Sequence, residues 1–147
     1  MIESKQSRIL PLAANLISHS HYFPGRTRLF NLFTNRLKFT PGWVRHHKGF
    51  SWFIDSPHAQ QMYLYSCEPF TSKVLSKLSS KASHFLDIGA NRGWYSILLK
   101  NRNNKLVIHA FEPDQKIFQV LEKNLYQFGN FDDSFHTEHC GVGESIG

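Results

Sequence analysis

The chain has 147 residues, a formal net charge of +6, 41% hydrophobic and 14% aromatic residues, nine Gly, six Pro and two Cys. Thirteen Phe, three Trp and five Tyr exceed what a disordered chain carries, and two thiols as far apart as Cys67 and Cys140 frame no disulfide scaffold, so they read as reduced residues of a cytoplasmic protein. The longest apolar stretch, Ile9 to Ile17, is broken by Pro11 and Asn15, falls far short of the roughly 20 residues a membrane span needs, and is followed by no small-x-small cleavage site.

Charge is uneven along this length, which suits one compact domain. Residues 1–50 hold eight Lys or Arg (Lys5, Arg8, Arg26, Arg28, Arg36, Lys38, Arg45, Lys48) against Glu3, a net of +7, and residues 51–147 hold nine bases against ten acids, a net of −1. In the basic region, 1–48, the apolar Leu29, Phe30, Phe33 and Leu37 fall at helical spacing with Arg28 and Arg36 off that face. This predicts an amphipathic helix from Thr27 to Leu37. Its basic face is either solvated or meets an anionic membrane surface, nucleic acid or an acidic glycan.

The second region, 49–82, opens on the alternation of Phe50, Trp52 and Ile54 against Ser51, Phe53 and Asp55, a strand signal after the turn Lys48-Gly49. Met62 to Tyr65 is a second short strand candidate. Pro69 reads as the first position of a helix lined on one side by Phe70, Val74, Leu75 and Leu78, and Ser79 to Ser83 forms a polar linker.

The third region, 83–147, is regular: short buried strand His84–Ile88, helix Trp94–Lys100, strand 106–111, helix 116–128 ending at Gly129, and a weaker strand 135–140. This alternation is the beginning of an open parallel α/β sheet with right-handed crossovers. There is no internal repeat.

The residues able to carry chemistry lie where the first two of these strands end. After Phe85-Leu86-Asp87-Ile88, the segment Gly89-Ala90-Asn91-Arg92-Gly93 has two glycines four apart and runs into Trp94-Tyr95-Ser96 and the apolar Ile97, Leu98 and Leu99. Gly89 and Gly93 permit positive φ and let backbone approach a ligand at the carboxyl end of a strand, where open α/β sheets bind. The next strand, Val107-Ile108-His109-Ala110-Phe111, ends in Glu112-Pro113-Asp114. A carboxylate at that tip can accept hydrogen bonds from both hydroxyls of a ribose. A dinucleotide fingerprint requires a glycine where Asn91 stands, which counts against a nicotinamide cofactor. A nucleoside without phosphates but with a charged amino-acid tail suits the loop better: Asp87 can face a cation, and S-adenosylmethionine has that shape.

The run Asp87 to Ser96, with Ala110-Phe111-Glu112-Pro113 and Asn124-Leu125, resembles the FkbM-type methyltransferases, a class I S-adenosylmethionine-dependent family. The resemblance begins near Asp55 and continues to Gly147. It implies a Rossmann-like class I sheet, of which this chain carries the first three parallel strands after a helical and β-hairpin N-terminal region, and methyl transfer to a hydroxyl of a sugar or secondary metabolite. Carried residue by residue, it implies that Asp87, Gly89, Ala90, Asn91 and Gly93 hold the methionine part and Glu112 the ribose, and that Cys140, Gly141 and the stretch through Gly143 border the adenine. Glu68 matches an acid that often precedes the helix before the first strand. Family members extend about another hundred residues, so the chain is expected to be a fragment or a non-catalytic remnant of such an enzyme. The first strand, central in the complete sheet, is expected to have an open edge here, inviting self-association.

Other motifs carry less. Gly143-Glu144-Ser145-Ile146-Gly147 matches the spacing of a nucleophile elbow but lacks the helix, acid and His that must follow. His136 and His139, three apart on a strand, point to opposite faces and make no metal site. The basic front suggests an RNA methyltransferase, yet no interleaved aromatic and basic RNA module accompanies it. Methyl transfer to an alcohol needs a base. His84, His109 and Asp114 are the nearby titratable groups, and none is nominated as catalytic; a small-molecule or glycan acceptor is what the resemblance implies.

Overall fold

The computed structural model describes residues 40–46, 48–64, 68–128 and 134–144, together with Arg28. The rest of the expected helix Thr27–Leu37, the stretch Ile9 to Ile17, Cys67 and the end of the Gly-x-Ser-x-Gly match lie outside the described residues.

Strands β1 (Gly42–Arg45) and β2 (Ser51–Ile54) form an antiparallel hairpin, Gly42 opposite Ile54 and Arg45 opposite Ser51. The turn between them passes through Gly49 at φ 94°, and the expected alternation holds, with Phe50, Trp52 and Ile54 all buried. Helix α1 (Pro57–Leu64) follows, with Pro57 where no backbone donor is required and the Ser56 hydroxyl accepting from the Ala59 amide at 3.1 Å. The strand expected at Met62 to Tyr65 is therefore corrected: through Leu64 these residues are helical, because the Ser-Pro start nucleates a helix whose Tyr63 and Leu64 reach the core.

Helix α2 (Pro69–Leu78) and a 3-10 turn (Ser79–Lys81) lead into β3 (His84–Ile88), α3 (Trp94–Arg102), β4 (Val107–Phe111), α4 (Gln115–Leu125), a second 3-10 turn (Tyr126–Phe128) and β5 (Phe135–Glu138). The last three strands form a parallel sheet in the order β3-β4-β5, with Rossmann-like β-α-β-α-β connectivity. Hairpin, α1, α3, α4 and the inner face of this sheet share one core, in which Trp52, Tyr63, Trp94, Ile97, Ile108 and Leu121 are fully or almost fully buried. Each large side chain buried in this way contributes roughly 1.5–3 kcal/mol.

The hairpin is joined to α4 by amide side chains in place of a third strand. Asn124, with no exposed surface, accepts from the Phe53 amide at 2.8 Å and donates to the Arg92 carbonyl at 2.9 Å. Gln127 holds the Ser51 amide at 2.6 Å and its carbonyl at 2.7 Å. Backbone groups along the outer edge of β2 are thus satisfied without another strand.

On α2 the burial differs from expectation: Leu75 packs against the core, but Phe70 and Leu78 are 80% and 65% exposed, whereas Ser72 and Ser76, with Ser79 of the turn that follows, are buried. Serines are small enough to let α2 approach α3, where the Trp94 indole nitrogen lies 3.5 Å from the Ser72 hydroxyl.

The described helices cover one face of the sheet. On the other, Leu86 and Ile88 are 59% and 60% exposed, so the strand expected to be buried is covered on one face alone by the described residues. Among the described residues β3 is also an edge: Ser83 O and Gly89 N are bonded to β4, so by the alternation of a parallel ladder the backbone groups of His84, Leu86 and Ile88 point outward.

Three imidazoles line the uncovered face. His84 Nδ1 and His109 Nε2 are 3.1 Å apart, so one shared proton joins them, and His136 stacks on His109 at 4.6 Å between ring centres. Partial burial and the adjacent His136 and His84 hold the His109 imidazole below its usual pKa. Folding therefore favours the neutral ring, and this contribution, complete above the unfolded value of about 6.5, is lost as pH falls from there toward the lower folded value. The melting temperature should fall between about pH 7.5 and 5.5, and fall less steeply in His109→Gln; parallel pH profiles for the two proteins would refute the assignment.

Candidate functional site

Every residue that the sequence singles out for binding, Cys140 and Gly141 apart, lies at or just beyond the carboxyl end of β3 or β4. The loop leaving β3 is tied to β4 at once, the Gly89 and Ala90 amides both donating to the Phe111 carbonyl at 2.9 Å. It then turns through Asn91 at φ 51° and closes at Gly93, φ 81°, whose amide donates to Ala90 O at 2.8 Å before α3 begins. Asn tolerates this left-handed conformation better than other side-chain-bearing residues.

The two glycines serve different needs. A Cβ on Gly89, φ 73°, would meet nothing within 4 Å, so the loop leaves open space there. A Cβ on Gly93 would lie 2.6 Å from Leu121 Cδ1, so that glycine is required for α4 to pack against the loop.

Glu112, just past β4, is buried, yet both its oxygens are engaged. Oε2 accepts from the Asn91 amide at 2.8 Å and Oε1 from the Asp114 amide at 2.9 Å. A carboxylate offers about four lone-pair sites, so each oxygen retains acceptor capacity for a hydroxyl. Asp87 is placed differently from the expectation that it faces a cation. Its carboxylate turns beneath the loop and accepts from the buried Ser96 hydroxyl at 2.6 Å, and burial pushes its pKa up against the lowering effect of that bond. Asp87 ties the end of β3 to α3, and Ala90 is also buried.

The β5 exit reaches the same end of the sheet. Glu112 N donates to Glu138 O at 3.1 Å, a His139 ring nitrogen lies 3.0 Å from Pro113 O, and a Cβ on Gly141 would meet Pro113 at 3.9 Å. Gly141 thus lies against the residue after Glu112, and Cys140 is an exposed free thiol beside it. Asp114 caps α4 by accepting from the Ile117 and Lys116 amides, which hold its carboxyl below the usual range. His84 and His109 lie within strands on the uncovered face, so neither adjoins the loop.

Two residues at this end, Arg92 and Asp55, escaped the sequence reading as a pair. Arg92, inside the glycine loop, is buried and bidentate on Asp55, which follows β2, at 2.7 and 2.9 Å. Thirty-seven positions separate the partners, so only the docked hairpin reveals the pair. Tyr95, in the first turn of α3, donates its hydroxyl to Glu68 Oε2 at 2.9 Å. Glu68 itself sits at φ 50°, a left-handed conformation costing a side-chain-bearing residue roughly 1–2 kcal/mol. Among the described residues no group of three or more His, Cys, Asp or Glu is placed to hold a metal ion, and no helix is long and apolar enough to cross a membrane.

No protein-family model and no curated protein matches this chain. Among solved structures, it is similar to a Plasmodium falciparum protein described as a protein-L-isoaspartate O-methyltransferase, crystallised with S-adenosyl-L-homocysteine, at 15% identity and a TM-score of 0.45. The similarity covers 94% of this chain and 64% of that one, so the chain spans less than two thirds of its neighbour's length.

Proposed function

We propose that this chain carries the cofactor-binding half of an S-adenosylmethionine-dependent methyltransferase of FkbM type, acting on a hydroxyl of a sugar or secondary metabolite. The observation that carries this reading is the pairing of an open glycine position with a buried carboxylate: the space at Gly89 lies in a loop whose Asn91 amide is held by Glu112. The residues fit the cofactor. Glu112 has acceptor capacity for two ribose hydroxyls, the loop around Gly89 has room and backbone groups for an amino-acid tail, and Gly141 beside Pro113 borders the space an adenine would take. Asn91 stands where a dinucleotide loop needs glycine, which disfavours a pyrophosphate ligand.

When bound, S-adenosylmethionine supplies an electrophilic methyl group on sulfur. The contribution of this chain is to orient the donor by its ribose and tail, so that an acceptor oxygen can approach in line. The FkbM assignment rests on the runs Asp87 to Ser96 and Ala110 to Pro113. It is tested on an enzyme that contains this cofactor-binding half, by incubation with S-adenosylmethionine labelled at the methyl group and a panel of sugars and alcohols. Base-stable label, as in an ether, is expected. Base-labile label, as in a methyl ester, would exclude hydroxyl methylation.

The open edge of β3 with exposed Leu86 and Ile88 also supports self-association. Size-exclusion chromatography should give an apparent mass above 17.1 kDa that rises with concentration; a monomer at all concentrations would contradict this.

A further inference from the structure

We infer that Asp55 is a positioning residue for the amino-acid tail of the bound nucleoside, acting through Arg92 to hold the loop around Gly89 in its binding shape. This rests on the cofactor reading above and assigns a binding role to the hairpin.

The argument follows the contacts outward from Asp55. Its two oxygens take Arg92 Nε and Nη2 at 2.7 and 2.9 Å, a bidentate, charge-assisted pair, and Nη2 also lies 3.3 Å from the Ser56 hydroxyl. Arg92 Nη1 then donates to Asn91 Oδ1 at 3.0 Å, and the Arg92 amide donates to the same oxygen at 2.9 Å. Asn91 is the left-handed turn of the loop, and its own amide is held by Glu112. Asp55 and Arg92 thus hold the side chain of Asn91, two residues beyond Gly89, while Glu112 is also held by the Asp114 amide, which does not depend on the pair. Asp55 is itself fixed, since Asn124 and Gln127 clamp β2 onto α4.

Charge points the same way. Arg92 lies between Gly89 and Gly93, and an unpaired guanidinium there would repel the ammonium of the tail. Pairing turns the cation toward the hairpin and neutralises it. Burial pushes Asp55 up, but the hydrogen bonds and charge of Arg92 outweigh this and hold its carboxyl below the usual range, so the pair persists at neutral pH. A loop already fixed in its bound conformation loses less entropy on binding.

The test compares two ligands that share adenosine and differ in the tail: S-adenosylhomocysteine and 5′-methylthioadenosine. Calorimetry on the full chain should show Asp55→Ala weakening S-adenosylhomocysteine by about tenfold or more and methylthioadenosine by less than about twofold. The double variant Asp55→Ala/Arg92→Met, which leaves no buried charge unpaired, should remain weak for S-adenosylhomocysteine, and Asp55→Glu should recover part of the loss. If Asp55→Ala does not fold, as judged by near-ultraviolet circular dichroism, Asp55→Asn keeps the shape and carries the same comparison. Equal losses for both ligands, or full recovery in the double variant, would reduce the pair to a structural support and overturn the inference. Wild-type protein that binds neither ligand would overturn the cofactor reading instead, and this inference with it.

Discussion

Glu112→Gln is expected to lower affinity for S-adenosylhomocysteine by at least about tenfold, because hydrogen bonds to a charged group contribute about 1.5–3 kcal/mol each and two ribose hydroxyls lose an ionised partner. The loss should exceed what the vanished charge alone causes. In the native protein one oxygen holds the Asn91 amide and the other the Asp114 amide. A glutamine must set its own NH2 donor against one of these two donors, leaving a buried amide unsatisfied at about 1–3 kcal/mol. The variant should therefore melt lower as well as bind less, and Glu112→Ala should do both more severely. Calorimetric affinity and a thermal melt on the same preparations check this. Unchanged affinity in a folded Glu112→Gln protein would remove the carboxylate from the binding site.

Gly93→Ala should be the most destabilising single methyl addition in the loop. The new Cβ would stand 2.6 Å from Leu121 Cδ1, at a residue whose φ of 81° already disfavours a side chain. Leu121 is fully buried, so it cannot move aside freely. Left-handed strain of roughly 1–2 kcal/mol and overpacking of about 1–3 kcal/mol give a loss of about 2–5 kcal/mol, a large part of the 5–15 kcal/mol that a domain typically has. Gly89→Ala meets no atom within 4 Å and pays only the φ term, yet its methyl fills the space assigned to the ligand. It should lose only about 1–2 kcal/mol of stability and bind S-adenosylhomocysteine poorly. Denaturant unfolding of both variants separates the two roles; equal stability losses would contradict the division of labour.

How far the sequence led can be judged from these residues. From β3 onward, apolar strands and amphipathic helices are dictated locally, and the boundaries agree to within a few residues: helix Trp94–Lys100 extends to Arg102, and the helix expected over 116–128 ends at Leu125 before a 3-10 turn. Glu112 and the glycine loop were legible for the same reason, since each lies at a strand end that its own neighbours define. What the sequence could not show depends on partners distant along the chain. β1 is four residues made a strand only by pairing with β2. The exposed Phe70 and Leu78 follow from α3 presenting Trp94 to the serine face of α2. The Asp55–Arg92 pair joins the second region, 49–82, to the third, 83–147. One signal was available and overlooked, the Ser56-Pro57 start of α1.

Isothermal titration of the full chain with S-adenosylhomocysteine, with NAD as the competitor, tests the central claim most directly. A single site of micromolar affinity that NAD does not displace is the predicted result. A well-folded preparation that gives no binding heat at several temperatures, or whose site NAD occupies in preference, would contradict it.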